Sequence, residues 1–408
     1  MICRLTSSKS LLRSTLVGVL TIGIAVLTAA PAAGAWSTPV PPPTACGSGS
    51  LSVNSAGAWA IAGSISNGDG TSSVNVCTSS DGVNWSGPTT IGQGITPVLA
   101  VAPNGRIVAM WEWVSGVSSN VQASIRPVGG NWSTPVIVST ASTHPLISMD
   151  GSGNALGVLS RSDTLTLPVS TVNLPANSTT WTTPTTLVAQ AGGVGMVTNS
   201  SGGAVIGWRT HANQIQAVSG TILGGFGAPA TLGSTYGGVA PKVQVALNDA
   251  GAAVLGWFGN DFVKVAIRAA DGTWGATTQL TGPSASGVGV AIDGVGNAIA
   301  AFGQTQQTGT PAYASLRPAG GSWGTPTLVS ALNDQGKVAV GGDPAGTFVV
   351  IWTNNAGTIE ALTIPPGGGF GPGTPVAAGP TVLLKVIPGL AVLWMGGFGA
   401  GISKETVN

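Results

Sequence analysis

The chain has 408 residues, with 14 Lys+Arg against 13 Asp+Glu and 2 His, a formal net charge of +1 at pH 7. Only 7% of the residues are charged, against about a quarter in an ordinary soluble domain. No basic stripe is therefore available to neutralise phosphates, which argues against nucleic-acid binding. The 43% that are hydrophobic recur in a pattern, which argues against a disordered chain.

Residues 1–35 predict a secretory signal peptide. Arg4, Lys9 and Arg13 make a basic start, and Leu16 to Ala30 an apolar segment too short for a membrane anchor. Ala33-Gly34-Ala35 supplies a small-residue cleavage site, so the mature chain is expected to start near Trp36. Cleavage leaves eleven basic against thirteen acidic residues. The expected location is secreted or on the extracellular side of the cell envelope. Cys3 lies in the signal segment. Cys46 and Cys77 remain as an even pair in an exported chain, and a disulfide between them is expected, two free buried thiols being the alternative.

From Trp36 onward a unit of about 48 residues repeats. An aromatic followed by small residues, usually with a proline, occurs at Trp36, Trp85, Trp132, Trp181, Phe226, Trp274, Trp323 and Phe370, at intervals of 49, 47, 49, 45, 48, 49 and 47 residues. A second mark is a glycine followed six residues later by a bulky apolar residue: Gly105 and Trp111, Gly153 and Leu159, Gly202 and Trp208, Gly251 and Trp257, Gly296 and Phe302, Gly346 and Trp352. Asn or Asp stands before each of these glycines, the composition of a tight turn with φ > 0 at the glycine. Each unit reads as four strands. Strand A enters the Asx/Gly turn and strand B ends at the bulky residue. A variable loop leads to strand C, and a Gly-Gly or Asp-Gly turn to strand D, which starts at the aromatic.

Short, regularly spaced strands with no helix between them predict an all-β protein, a β-propeller of four-stranded antiparallel blades. Seven units are complete, from about residue 51 to 380. Residues 36–44 read as an isolated strand D and 381–408 as strands A to C, so the two ends are expected to share an eighth blade; seven blades is the alternative. The whole of 36–408 is read as one domain. A membrane span in the tail is not expected, because Lys385 and Pro388 interrupt it. A monomer is expected.

The hairpin TSSDGVNW, residues 78–85, resembles the Asp-box of sialidase-like propellers, and RAADGTW, residues 268–274, is a poorer copy. The repeat as a whole is similar to those of exported bacterial propeller proteins. In the sialidase family the Asp-box is a structural turn away from the active site, so this resemblance implies a fold and no chemistry. A sialidase-like site would need an arginine triad and a tyrosine activated by glutamate. Arg126, Arg268 and Arg317 share one repeat position beside the C–D turn and read as structural, and only Tyr236 and Tyr313 are tyrosines. Glycoside hydrolysis in general needs two facing carboxylates, and most aspartates here belong to the repeated turns. No catalytic residue, metal site or cofactor is expected.

The B–C and D–A loops share one end of the blades and vary, whereas the A–B and C–D turns are uniform. Variable loops on a rigid scaffold are where specificity is built. The unpatterned ionisable residues of that face are Glu112, Arg161, Asp163, Arg209 and His211. Nine residues before the A–B glycine stand His144, Lys242 and Lys337, expected at the mouth of the central channel, where cations suit an anionic ligand. The repeated tryptophans are expected to be wedges between blades; a glycan-binding surface would expose them instead. The functional expectation is an exported, non-enzymatic binding or scaffold protein with a glycan or protein ligand. A sialidase-like or other glycoside hydrolase is the alternative.

Overall fold

The structure is a computed structural model that describes residues 36, 43–47, 49–115, 118–140, 144–160, 165–235, 243–259, 262–282, 284–332, 334, 338–378, 383–387, 390–395 and 401–406; beyond Val376 only the backbone is described. The segment read as a signal peptide thus lies outside the described residues.

Seven four-stranded antiparallel sheets follow one another along the chain, each with its strands in the order A-B-C-D. Sheet 1 is Ser50–Val53, Trp59–Ser66, Ser72–Ser79 and Ser86–Gln93. Sheet 2 is Ile95–Val101, Ile107–Ser115, Ser118–Arg126 and Val136–Ser139. In sheet 4 the strand D position is split between Gly225–Phe226 and Ala230–Ser234, both paired with Gln214–Thr221. Sheet 7 ends with strand D at Thr374–Ala378. Each strand A lies against the strand A of the next sheet, from sheet 1 to sheet 7 and on to the tail. This radial stacking is β-propeller-like.

The expected eighth four-stranded blade is corrected. The tail forms a sheet of three strands, Leu383–Ile387, Leu390–Met395 and Gly401–Thr406. The segment read as its strand D, 36–44, is largely outside the described residues, and its end runs into a 3-10 turn, Thr44–Cys46. Pro41, Pro42 and Pro43 carry no N–H to give to a ladder, which is the weakness of reading that stretch as a strand.

The A–B turns form as the sequence implies. Gly105 has φ +89° and Gly296 φ +97°, a region open to glycine at no steric cost. The Asx side chain closes its own turn: Asp293 Oδ1 accepts from the backbone N–H of Asn297 at 2.8 Å, and Asn199 Oδ1 from Gly203 at 2.7 Å. The bulky residues ending the apolar run of strand B are the wedges. Trp111, Trp208, Trp257 and Phe302 are fully buried and Trp352 is 1% exposed. Val74 and Val76 of sheet 1 share one apolar cluster with Ala109 and Trp111 of sheet 2, so the core lies between sheets. Glycines make room for it: a Cβ on Gly92 would lie 2.6 Å from Cζ2 of Trp111. Burying one indole takes about 150–250 Å² out of water, about 4–6 kcal/mol at ~25 cal/mol per Å².

The expected Cys46–Cys77 disulfide is formed, joining the segment before strand A of sheet 1 to its strand C across a Cα–Cα distance of 5.8 Å. The bridge is consistent with an extracellular protein. No helix among the described residues is long and apolar enough to cross a membrane.

Candidate functional site

A cavity of ≈ 410 Å³ is lined by strand A residues of sheets 1 to 5, mostly apolar, such as Leu51, Leu99, Ile147 and Val194, with Ser50, Ser52, Ser148 and Gln244 among them. None of its described lining residues is ionisable.

His144 opens strand A of sheet 3, His144–Met149. Its Nε2 stands 3.6 Å from Oε2 of Glu112, which follows Trp111 on strand B of sheet 2. Sequence reasoning put these two residues in different groups, one at the channel mouth and one on the loop face. The structure makes them a pair tying sheet 2 to sheet 3. Arg209 occupies in sheet 4 the place of Glu112 in sheet 2, but it is 2% exposed and is bonded through Nε to Oδ1 of Asn213 at 3.2 Å. Burial disfavours its charge and pulls its pKa below the usual value. Arg209 is therefore a packed residue and not a solvated loop charge. His211, next in that loop, is exposed. Arg161, Asp163, Lys242 and Lys337 lie outside the described residues, so the expected cationic ring is described at His144 alone.

The described carboxylates are held by turns and ties. Asp81 accepts from the backbone N–H groups of Asn84 and Val83, from Asn84 Nδ2 and from Ser79 Oγ, all within 2.9 Å. These bonds, led by that from the Asn84 N–H, hold its carboxyl well below the usual range. Buried Asp334 accepts from the N–H groups of Ala331 and Asn355, each at 3.1 Å, knitting loops of sheets 6 and 7 together. Glu360 accepts from Asn354 Nδ2 at 2.8 Å. Among the described residues no group of three or more His, Cys, Asp or Glu is placed to hold a metal ion.

The tryptophans divide into two sets. Those that end the apolar run of strand B, Trp111, Trp208, Trp257 and Trp352, are wedges. The aromatics that precede strand D, from Trp36 to Phe370, are all half-buried, each leaning on apolar residues while keeping some surface in water.

At one of them a groove opens. Trp132 sits in a groove of ≈ 480 Å³ between sheets 1 and 2, within the ~300–1,000 Å³ typical of small-molecule sites. One wall is strand D of sheet 1, Ser86–Gln93, eight residues long, where the corresponding strands of sheets 5 and 6 have two. That wall supplies Ser86, Thr89 and Thr90. The other wall is the C–D turn of sheet 2, with Asn131, Trp132 and Thr134. Ser86, Thr89, Asn131 and Thr134 are exposed.

Arg126 completes the groove. Its Nε donates to the carbonyl of Gly130 at 3.2 Å and its Nη1 to Thr78 Oγ1 at 3.4 Å, so it reaches from sheet 2 to sheet 1. Among the described residues, neither the groove nor the strand A cavity is lined by a carboxylate. Sequence reasoning passed over this site, because Arg126 looked like one of three equivalent structural arginines and Trp132 like one of eight equivalent aromatics.

No protein-family model and no curated protein matches the chain. Solved structures do. The BP39L lectin from Burkholderia pseudomallei is 13% identical with a TM-score of 0.54, over 81% of this chain and 99% of the lectin. The Aleuria aurantia lectin AAL is 12% identical with a TM-score of 0.40, over 70% of this chain and 96% of that one. An ulvan lyase of polysaccharide lyase family PL25 is 8% identical with a TM-score of 0.47, over 92% of this chain and 94% of that one. At such identities a likeness is one of fold, and of these three the first is near enough in shape to support it.

Proposed function

We propose that this chain is an exported glycan-binding protein without catalytic activity, and that the groove between sheets 1 and 2 holds a sugar. The observation that carries this reading is the half-buried Trp132 in a concave groove ringed by exposed hydroxyls and an amide. A pyranose has an apolar C–H face that stacks on an indole, and hydroxyls at its rim that exchange hydrogen bonds with Ser, Thr and Asn. Trp132 is held rigid by packing on the cluster shared by the two sheets, so stacking costs little conformational entropy. The site is made from strands C and D and the C–D turn, the regular parts of the repeat.

The hydrolase alternative needs two facing carboxylates, and the described residues lining these two cavities include none. Export is supported by residues 1–35 and by the disulfide.

A glycan array probed with the chain from Trp36 onward, beside its Trp132→Ala variant, tests the reading. Binding to a set of glycans that the variant loses is the expected result. Absence of binding to any glycan, or binding that Trp132→Ala leaves intact, overturns it.

A further inference from the structure

Resting on the glycan reading of this groove, we infer that its ligand is an acidic saccharide whose carboxylate pairs with Arg126 while its ring lies on Trp132. A guanidinium has five N–H donors in a planar fork. In Arg126 two hydrogen bonds, to Gly130 and Thr78, fix the side chain across the groove. Nη2 has no part in either bond. The fork matches a carboxylate in shape as well as in charge, and such charge-assisted bonds are about twice as strong as neutral ones.

Among the described residues the groove provides no internal counter-charge, since its lining contains no Asp or Glu. The repeat offers a version with an acid in the turn. Arg268 stands at the same position in sheet 5, and its turn carries Asp271 where that of Arg126 has Gly129. Asp271 opposes the loss of charge at Arg268, and Nη1 of Arg268 is turned to the carbonyl of its own sheet's Gly251. Arg317 lacks the acid too, but strand D of the preceding sheet is only Thr278–Gln279 and builds no comparable wall. Sheets 1 and 2 combine the long wall, the aromatic and a cation with no acid beside it.

The test is titration calorimetry on the chain from Trp36 onward. The probes are uronic- and sialic-acid oligosaccharides, each beside its carboxyl-reduced neutral partner. The expected result is a preference of about tenfold or more for the acidic member, weakened by salt. Arg126→Gln should bring the two members to equal affinity, Arg126→Lys should restore part of the preference, and thermal unfolding of each variant should match the parent. Equal binding of both members by the parent overturns the inference and leaves the glycan reading standing. A preference that survives Arg126→Gln also overturns it, because the carboxylate is then recognised elsewhere. No binding of either member, with an empty glycan array, removes both readings.

Discussion

Nδ2 of Asn199 donates to the backbone carbonyl of Asn248 at 3.0 Å, linking the A–B turn of sheet 4 to that of sheet 5. Asn248 repeats the bond to the carbonyl of Asp293 at 2.9 Å, and Asn54 reaches the carbonyl of Ala102. Aspartate at this position has no N–H to give. In those sheets the next residue takes over: Gly151 N–H donates to Ser200 at 2.8 Å and Gly294 N–H to Pro344 at 3.0 Å. A Cβ on Gly151 would lie 2.8 Å from the Ser200 oxygen and one on Gly294 2.6 Å from that of Pro344, so the second device requires glycine. Five of the seven turns thus use Asn followed by another residue (Asn54, Asn199, Asn248) or Asp followed by Gly (Asp150, Asp293), whereas Ala102-Pro103 and Asp343-Pro344 have neither device.

Asn248→Asp in the native Asn248-Asp249 context should therefore destabilise by about 1–3 kcal/mol, because a buried carbonyl loses its donor and faces a carboxylate. Adding Asp249→Gly should recover part of that loss. Urea unfolding of the two single variants and the double variant measures the coupling. Additive effects would show that the two devices are not exchangeable.

The periodicity of aromatics and glycines made the sheets and their strand order legible, because a repeat restates each signal several times. The fate of the ends was not legible. A strand D read from Trp36 alone had no partner in sequence to check it, and the prolines that follow speak against it. The groove was hidden for a related reason. Repeat logic averages Arg126 with Arg268 and Arg317, and the difference between them lies in one turn residue and in the length of a neighbouring strand. The Glu112–His144 pair was missed because contact across sheets joins residues that fall in different repeat classes.

Trp111 and Trp208 should respond differently to the same change. Trp111 Nε1 donates to the carbonyl of Gln93 at 2.8 Å. Among the described residues Trp208 Nε1 is buried without a partner, and Phe302 fills the same position in sheet 6 without one. Both Trp→Phe variants lose apolar area, but only Trp111→Phe strands a carbonyl. Chemical denaturation should find it costlier by about 1 kcal/mol. Equal losses would mean that packing alone sets the difference.

Removing the disulfide should lower stability substantially. Cys46 and Cys77 are 31 residues apart and wholly buried. In the chain-entropy account such a loop is worth about 3–4 kcal/mol. Cys46→Ser with Cys77→Ser, or reduction of the parent, should lower the unfolding midpoint to the same degree. A midpoint unmoved by reductant, with loss of the bridge checked by mass spectrometry, would contradict this.

Acid should destabilise the chain in a defined window. Asp81 is held below the ordinary carboxyl value of 3.8 chiefly by N–H bonds from Asn84 and Val83, Asp69 by Thr71 through side chain and backbone, and Asp271 by the N–H and hydroxyl of Thr273. Their folded pKa values lie below the unfolded ones, so their stabilisation is complete above the unfolded value and is lost as pH falls through the folded values. These groups predict no change in thermal midpoint between pH 8 and 5 and a fall below about pH 4. Asp81→Asn should flatten that fall. A parent and variant with the same acid limb would exclude Asp81 as a cause.

Trp36 packs on the apolar cluster of sheet 7 formed by Val349, Ile351, Ile359 and Ala361. In sheets 2 to 7 the aromatic before strand D leans on a cluster that includes the sheet preceding its own: Trp132 of sheet 2 on one with Val74 and Val76 of sheet 1, and Trp323 of sheet 6 on one with Val263 and Val265 of sheet 5. Trp36 therefore stands toward sheet 7 as those aromatics stand toward theirs, which brings Trp36 beside the last four-stranded sheet. Trp36→Ala should cost about 2 kcal/mol, the scale of one large apolar side chain. The loss should appear first as faster hydrogen exchange in Phe348–Thr353 and Thr358–Ile364, the strands it covers. If exchange in those strands is unchanged while global stability falls, Trp36 acts on the unfolded chain and does not fasten the two ends together.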